Sequence, residues 1–385
     1  MNNYSINQSK IALALSGGVD SAVSAYLLKQ QGYNPTAVYL QCWHMPGCRA
    51  EQDRHDAFKI ALQLKMPFEV LDFTQQYQER VMAYFLAEYR AGRTPNPDVL
   101  CNQVIKFGLF YAWALEHGFE FIATGHYAQV GKVKINNNSG SALLTSKDLQ
   151  KDQTYFLHQV QQQQLSHILF PVGHLLKNEV RLLAQQASLH VAQKKDSVGI
   201  CFVGDINVQN FLKDNLGEKL GEIITADGKT IGQHQGIWFY TVGQRHGFNL
   251  DIKLVKKYTN WLDKTGNIPP LYVIKRDPDK NQIVVGSQLQ TETKTFQVAK
   301  LHKIIPEIDW GGVPLQVRIR HTGKLVDCKL QLNKSKLMVK TSQPLQGVAE
   351  GQFAVFYTEE FSVKKTACHD KTKARYLCLG GGMIV

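Results

Sequence analysis

Between residues 11 and 28 the chain reads IALALSGGVDSAVSAYLL. An apolar run stops at Ser16, turns through Gly17 and Gly18, and restarts at Ser21 with helical spacing. This joint constrains the fold more than any other stretch. A strand whose carboxyl end feeds a helix is where open parallel sheets bind ligands. The helix start offers unpaired N–H groups and partial positive charge, which suit phosphate. The two glycines let the backbone turn tightly and approach an anion with no Cβ in the way. Ser16 and Ser21 add hydroxyls, and Asp20 is placed to cap the helix or hold a magnesium ion. The loop is no P-loop, because no Gly-Lys-Ser/Thr ending follows, and it is not GxGxxG.

The surrounding pattern agrees. Short apolar runs at 11–15, 36–40, 68–71 and 121–123 alternate with helical spacing at 21–31, 50–64, 77–90 and 105–117. That alternation predicts a parallel sheet covered on both faces. KVKINNNSGSALL reads as a hairpin with a polar tip, and QVQQQQL as a solvated helix edge or loop. From about Leu220 short β runs are broken by Asp-Gly, Pro-Asp and Asn. From about Gly286 nearly every segment alternates, as in a small barrel. The expected fold is α/β: a parallel-sheet catalytic domain over residues 1–207, a small central domain over 208–284 and a C-terminal β-barrel over 285–385.

The chain has 385 residues, 44% hydrophobic and 20% charged, which excludes compositional disorder. No run is long and apolar enough to span a bilayer, and the polar start MNNYSINQSK lacks a signal-peptide core. The expectation is a cytoplasmic monomer with no membrane partner. A net charge of +12 points to a polyanion, nucleic acid before membrane. Seven scattered cysteines make a disulfide framework unexpected; a cysteine that matters here acts as a thiolate.

Two cysteine motifs stand out. AGRTPNPDVLCNQVIKF (residues 91–107) is a Pro-broken loop reaching Cys101 just before the helix expected at 105, whose positive end would lower the thiol pKa. Its polar approach argues against burial. KKDSVGICFVG (residues 194–204) places Cys201 after two lysines. The Cys42, His44, Cys48 and His55 set matches no common zinc spacing, so no metal site is expected there. Arg90, Arg93, Lys106, Lys194 and Lys195 cluster around the cysteine motifs as a candidate track for an RNA backbone.

The loop SGGVDS resembles that of the N-type ATP-pyrophosphatases. Together with both cysteine motifs, ATGHY (residues 123–127), KDQTYFL (151–157), LFPVG (169–173), GQRHG (243–247) and the ending CLGGG, the chain resembles the tRNA-specific 2-thiouridylase family over most of its length. The resemblance implies that ATP adenylylates O2 of a wobble uridine in tRNA and that sulfur then replaces that oxygen. A sulfur-relay protein would load a persulfide onto Cys201. Cys101 would be the nucleophile, either releasing the sulfur or ending in a disulfide with Cys201. Ala14, Leu15, Ser16, Gly17, Gly18, Val19, Asp20 and Ser21 would hold ATP with magnesium, Leu40 and Gly125 completing the site. Asn96, Pro97 and Asp98 would meet the target base, Asp98 as acid or base. His126, Lys151, Asp152, Gln153, Arg320, His321 and Gln352 would contact tRNA; the family often has an aromatic where His321 stands.

Other readings stay open at this point. An iron–sulfur thiolase could use Cys101, Cys201 and Asp98 as ligands. A non-catalytic RNA-binding protein or an amidating ligase could share the fold, but neither needs both cysteines.

Overall fold

The computed structural model describes residues 9–43, 49–135, 138–196, 207–263, 265–286, 291–333, 336–359, 361–363 and 375–385. Strands Phe68–Asp72, Thr36–Gln41, Ile11–Ala14, Phe121–Ala123 and Ile168–Leu169 lie side by side in that order, all parallel. Successive residues of a strand point to opposite faces. Ile11 and Leu13 accordingly join the core under helices Val19–Gln30 and Lys177–Gln186, while Ala12 faces a second core. Burial on both faces explains why the inner strands Ile11–Ala14 and Phe121–Ala123 read as unbroken apolar runs.

The helix after the Pro-rich loop differs from expectation. It begins at Pro97, runs through Cys101, continues as wide π-helical turns over Asn102–Phe110 and ends as Tyr111–Glu116. Asn96 caps it, its side chain accepting from Val99 N at 3.3 Å. Proline at the first helical position has the right φ and no N–H to leave unpaired. Cys101 is therefore in the second turn. The favourable field of a helix start fades within the first turn, so the helix end is not what would activate this thiol. Cys101 is also fully buried, against the expectation drawn from its polar approach.

The other two sheets follow the sequence reading. Residues 221–286 hold a five-stranded sheet around Ile223, Ile231, Val273, Ile283 and Val285. Strands Glu292–Lys303, Lys336–Gln346, Val326–Asn333, Leu315–Arg318, Phe353–Thr358 and Leu377–Ile384 form a barrel, closed where the first pairs with the last. The expected hairpin is present as Ala128–Ile135 and Asn138–Thr145, but it does not stand alone. Its second strand pairs Leu144 with Leu377 and Leu143 with Cys378, extending the barrel sheet into the catalytic unit. One hydrophobic core accordingly runs from Val38 and Phe107 to Val317 and Phe356. Among the described residues no helix is long and apolar enough to cross a membrane.

Candidate active site

A cleft of about 500 Å³ opens at the carboxyl edge of the parallel sheet. Ala14, Leu15, Ser16, Gly18, Val19, Asp20 and Ser21 line it, as do Leu40 and Gly125. Gly17 stands behind the wall. Its φ is +74°, and a Cβ there would lie 2.2 Å from Asp53 O, so both backbone and packing require glycine. Gly125 has another reason. A Cβ would sit 2.6 Å from Ser21 N, so only glycine lets residues 123–127 lie against the loop. Inside the loop, Ser16 N donates to Ser21 Oγ at 3.2 Å, and the two serine hydroxyls are 3.1 Å apart.

Asp20 does not cap the helix; Gly18 is the N-cap and no side chain caps it. Lys177 Nζ instead donates to both Asp20 oxygens, at 2.7 and 2.9 Å, and Tyr127 OH donates to Oδ1 at 2.9 Å. Burial and the Asp20 charge push the Tyr127 phenol up, so it stays a donor. Lys177 also pairs with Asp196 at 2.8 Å, which Lys151 and Arg181 reach at 2.9 and 2.6 Å. Burial opposes ionisation of Asp196, but hydrogen bonds from Lys177 and Lys151 outweigh it and hold the carboxyl down at about 2. Lys194 ties the loop to the next helix, donating to Gly17 O at 3.0 Å, Asp53 at 2.7 Å and Asp56 at 2.6 Å. Burial disfavours its charge, yet the two carboxylates prevail and raise its pKa. Among the described residues no three His, Cys, Asp or Glu side chains cluster to hold a metal ion. A magnesium ion carried by phosphate oxygens and water needs only one or two carboxylates, and Asp20 is the carboxylate of the loop.

The opposite wall is the helix that carries Cys101. Asp98, Asn102 and Lys106 line the cleft at four-residue intervals, one face of the helix. Cys101 is buried just behind them. Lys106 Nζ lies 3.2 Å from His126 Nε2, and His126 Nδ1 lies 2.8 Å from Thr124 Oγ1. An ammonium only donates, so Nε2 accepts and the proton sits on Nδ1. Burial, then the Lys106 charge, push the His126 pKa well down, so the ring is neutral.

The expected tRNA contacts separate by position. Lys151, Gln153, His126 and His321 line the cleft. Gln153 Oε1 accepts from Tyr127 N at 2.9 Å and so holds the strand behind the loop. His321 packs on Phe156 with ring centroids 4.4 Å apart; burial and the charges of Arg318 and Lys151 bring its pKa down to about 4. Arg320 is exposed on the barrel. Asp152, expected at the RNA surface, is instead buried, accepting from Ser146 N, Thr154 Oγ1 and Arg318. Gln352 faces inward too: its Nε2 donates to Thr94 O and Pro95 O at 3.2 and 3.3 Å. Asn96 Nδ2 reaches Gln352 Oε1 at 3.4 Å, and Pro97 is buried. Of the expected cationic track, Arg93 is locked to Glu88 at 2.6 Å and Lys194 to Asp53 and Asp56, so neither is loose surface charge.

Cys201 lies outside the described residues, as do His44 and Cys48. Cys42 lines the cleft beside Trp43, Arg49 and Asp53, which places that segment at the site's rim. Sequence reasoning missed Lys177 and Asp196. One signal existed: a lysine in the first turn of a helix opposes the helix dipole, so a carboxylate partner was to be expected.

A parallel sheet with this serine–glycine loop at its edge, joined to a small central sheet and a closed barrel, defines a nucleotide-binding catalytic unit of the ATP-pyrophosphatase type combined with two β units. Residues 9–205 match the family described as tRNA methyl transferase HUP domain, 209–287 its PRC-barrel domain and 293–363 an aminomethyltransferase beta-barrel domain. The tRNA-specific 2-thiouridylase MnmA of Streptococcus thermophilus is 37% identical, over 98% of this chain and 95% of its own. The Streptococcus pyogenes MnmA is 38% identical, over 97% and 94%. The solved U34-tRNA thiolase NcsA of Methanococcus maripaludis aligns at a TM-score of 0.34 and 22% identity, over 54% of this chain and 64% of its own, too remote to argue from. The chain belongs to the tRNA-specific 2-thiouridylase family.

Proposed function

We propose that this enzyme replaces O2 of the wobble uridine of tRNA by sulfur, using ATP to activate the oxygen. The carrying observation is that one cleft joins the serine–glycine loop to Asp98 and the helix of Cys101. A carbonyl oxygen is a poor leaving group. Attack of uridine O2 on the α-phosphate expels pyrophosphate while the base gives up its N3 proton, leaving an O2-adenylylated base from which AMP departs readily. The loop N–H groups and hydroxyls would cradle the phosphates, and the cleft cations Lys177 and Lys151 face their charge. Magnesium would arrive on the phosphates, with Asp20 as protein ligand, and would neutralise their charge.

The sulfur half needs two thiols. Cys201 follows the cleft residue Asp196 by five positions and would have to reach the activated carbon. With a persulfide on Cys201, the Cys101 thiolate attacks the sulfur bonded to the cysteine. A Cys101–Cys201 disulfide forms, the terminal sulfur leaves as hydrosulfide and attacks C2, and AMP departs. A reductant then restores both thiols. Cys101 is buried in the described conformation, so this step requires the helix wall to open. A single-stranded anticodon base can be splayed into such a pocket, and Asp98, which lines the cleft, would exchange a proton with it. The persulfide would come from a sulfur-relay protein.

The test is nucleoside analysis of tRNA after incubation with ATP, magnesium and a sulfide donor, alongside pyrophosphate release. Wild type should form 2-thiouridine and one pyrophosphate per base, and Cys101→Ala and Cys201→Ala should form none with a persulfide donor while still binding tRNA. Thiolation without nucleotide cleavage, or at normal rates in either variant with the persulfide donor, would overturn the mechanism. Visible absorbance of anaerobically purified protein would reveal an iron–sulfur alternative.

A further inference from the structure

Lys106 and His126 both line the cleft, but they come from different elements. Lys106 is half-buried and belongs to the helix wall, on the face that also carries Asp98. Its ammonium leaves that wall and donates to His126 Nε2 at 3.2 Å. His126 sits on the turn after strand Phe121–Ala123, and the turn is fixed at two points. Gly125 lies so close to the phosphate loop that a Cβ there would come within 2.6 Å of Ser21 N. The His126 ring is 8% exposed, and its Nδ1–H donates to Thr124 Oγ1 at 2.8 Å. Burial, then the Lys106 charge, keep the ring neutral. A neutral ring that accepts at Nε2 orients one of the three ammonium N–H groups without cancelling the charge.

The wall and the turn serve different halves of the adenylylation proposed above, on which this inference rests. The wall carries Asp98, which would meet the base. The turn abuts the start of the helix that would cradle ATP. One phosphorus has to touch both sides, the α-phosphorus that uridine O2 attacks. A cation carried by the wall and tied to the turn belongs beside that phosphorus. We propose that Lys106 is a catalytic residue that donates to a non-bridging oxygen of the ATP α-phosphate, and that His126 is the positioning residue that aims it. In this step the bond from O2 to phosphorus forms and the bond to pyrophosphate breaks. The non-bridging oxygens carry charge throughout, and a preoriented donor stabilises it with no reorganisation. Lys106 keeps its protons; the N3 proton of the base leaves towards Asp98. Lys177 and Lys151 are bound to Asp196, and Lys177 to Asp20 as well, so they serve the other side of the triphosphate.

The experiment uses full-length protein, unmodified tRNA and magnesium, with ATP or either diastereomer of its α-phosphorothioate, and reads pyrophosphate release in a single turnover. Lys106→Met should slow release from ATP by on the order of a hundredfold, the scale of one lost donor to a charged transition state. KM for ATP and the tRNA dissociation constant should stay within about twofold of wild type. Sulfur is a weak acceptor, so wild type acting on one of the diastereomers has already lost this bond. On that diastereomer the variant's loss should shrink to less than about tenfold, as coupling between the two changes requires. Lys106→Gln gives the same contrast should the methionine protein not fold. His126→Ala should cost about tenfold through a misplaced ammonium, and His126→Gln, which keeps an acceptor, should recover most of it. An equal loss on ATP and both diastereomers would mean that Lys106 only shapes the cleft. A loss carried by tRNA affinity would make it an RNA contact, and an unaffected variant would leave it no part in the reaction; each overturns the proposal. His126→Ala at wild-type rates would overturn the positioning role. Wild type that releases no pyrophosphate with tRNA would overturn the function and this assignment with it, whereas active wild type with any of the other results overturns the assignment alone.

Discussion

Lys177 joins two carboxylates, Asp20 of the loop and Asp196 at the edge of the cysteine segment, and its side chain is only 14% exposed. A cation held so close to a phosphate loop has two uses. It neutralises Asp20 in this structure, and under the proposed function it would turn to the triphosphate. Asp196 keeps Lys151 and Arg181 in either case, so losing Lys177 does not strand that carboxylate. Lys177→Met should therefore slow pyrophosphate release by on the order of a hundredfold, the scale of losing one electrostatic donor to a charged transition state. The tRNA dissociation constant should change by less than about twofold. A filter-binding titration beside a pyrophosphate assay reads both, and equal losses in the two would assign Lys177 to RNA. The loop glycines and serines were legible in the sequence because backbone turning has a local residue code. Lys177 was not, because its partners lie 157 residues before it and 19 after it.

The Pro-rich loop before Cys101 is clamped from two sides. The barrel holds it through Glu350 O, which accepts from Thr94 N at 2.8 Å, and through Gln352. The central domain holds it through Arg276, which donates to Thr94 Oγ1 at 3.0 Å, and through Pro278, packed against Gly92 so closely that a Cβ there would lie 2.3 Å away. The helix start itself was written in the sequence as Asn-Pro-Asp, a cap followed by proline at the first position, yet the two prolines were read as a broken loop. The clamp had no local code at all. It follows that Gln352 acts on the helix of Cys101 from within. Gln352→Ala should lower kcat for thiolation about tenfold, cost about 1 kcal/mol of stability and leave KM for tRNA near its wild-type value. A rise in KM with kcat intact would instead make Gln352 an RNA contact.

At the scale of the molecule, the catalytic unit and the barrel share a sheet and a core, so neither is an appendage of the other. The alternation of the barrel strands was readable in the sequence; that the hairpin at 128–145 would join them was not, because strand partners are chosen by tertiary packing. One buried ion pair crosses that junction: Asp152, with no side-chain exposure, and Arg318, 7% exposed, at 3.2 Å. Burial pushes the Asp152 carboxyl up, and Thr154, Ser146 and Arg318 restrain it. Arg318→Met removes the counter-charge and should cost about 3–5 kcal/mol near neutral pH, as broken buried pairs do. The sign of the pH effect follows. Without Arg318 the folded carboxyl holds its proton to higher pH than the unfolded chain does, so the native state takes up the extra proton. The variant's deficit should therefore shrink as pH falls from 8 towards 5.5, and Asp152→Asn in the same background should remove the pH dependence and recover part of the loss. Urea unfolding midpoints at the two pH values measure this; a deficit independent of pH, or a double variant no better than the single one, would mean that Arg318 acts by packing on Tyr357 and not by charge.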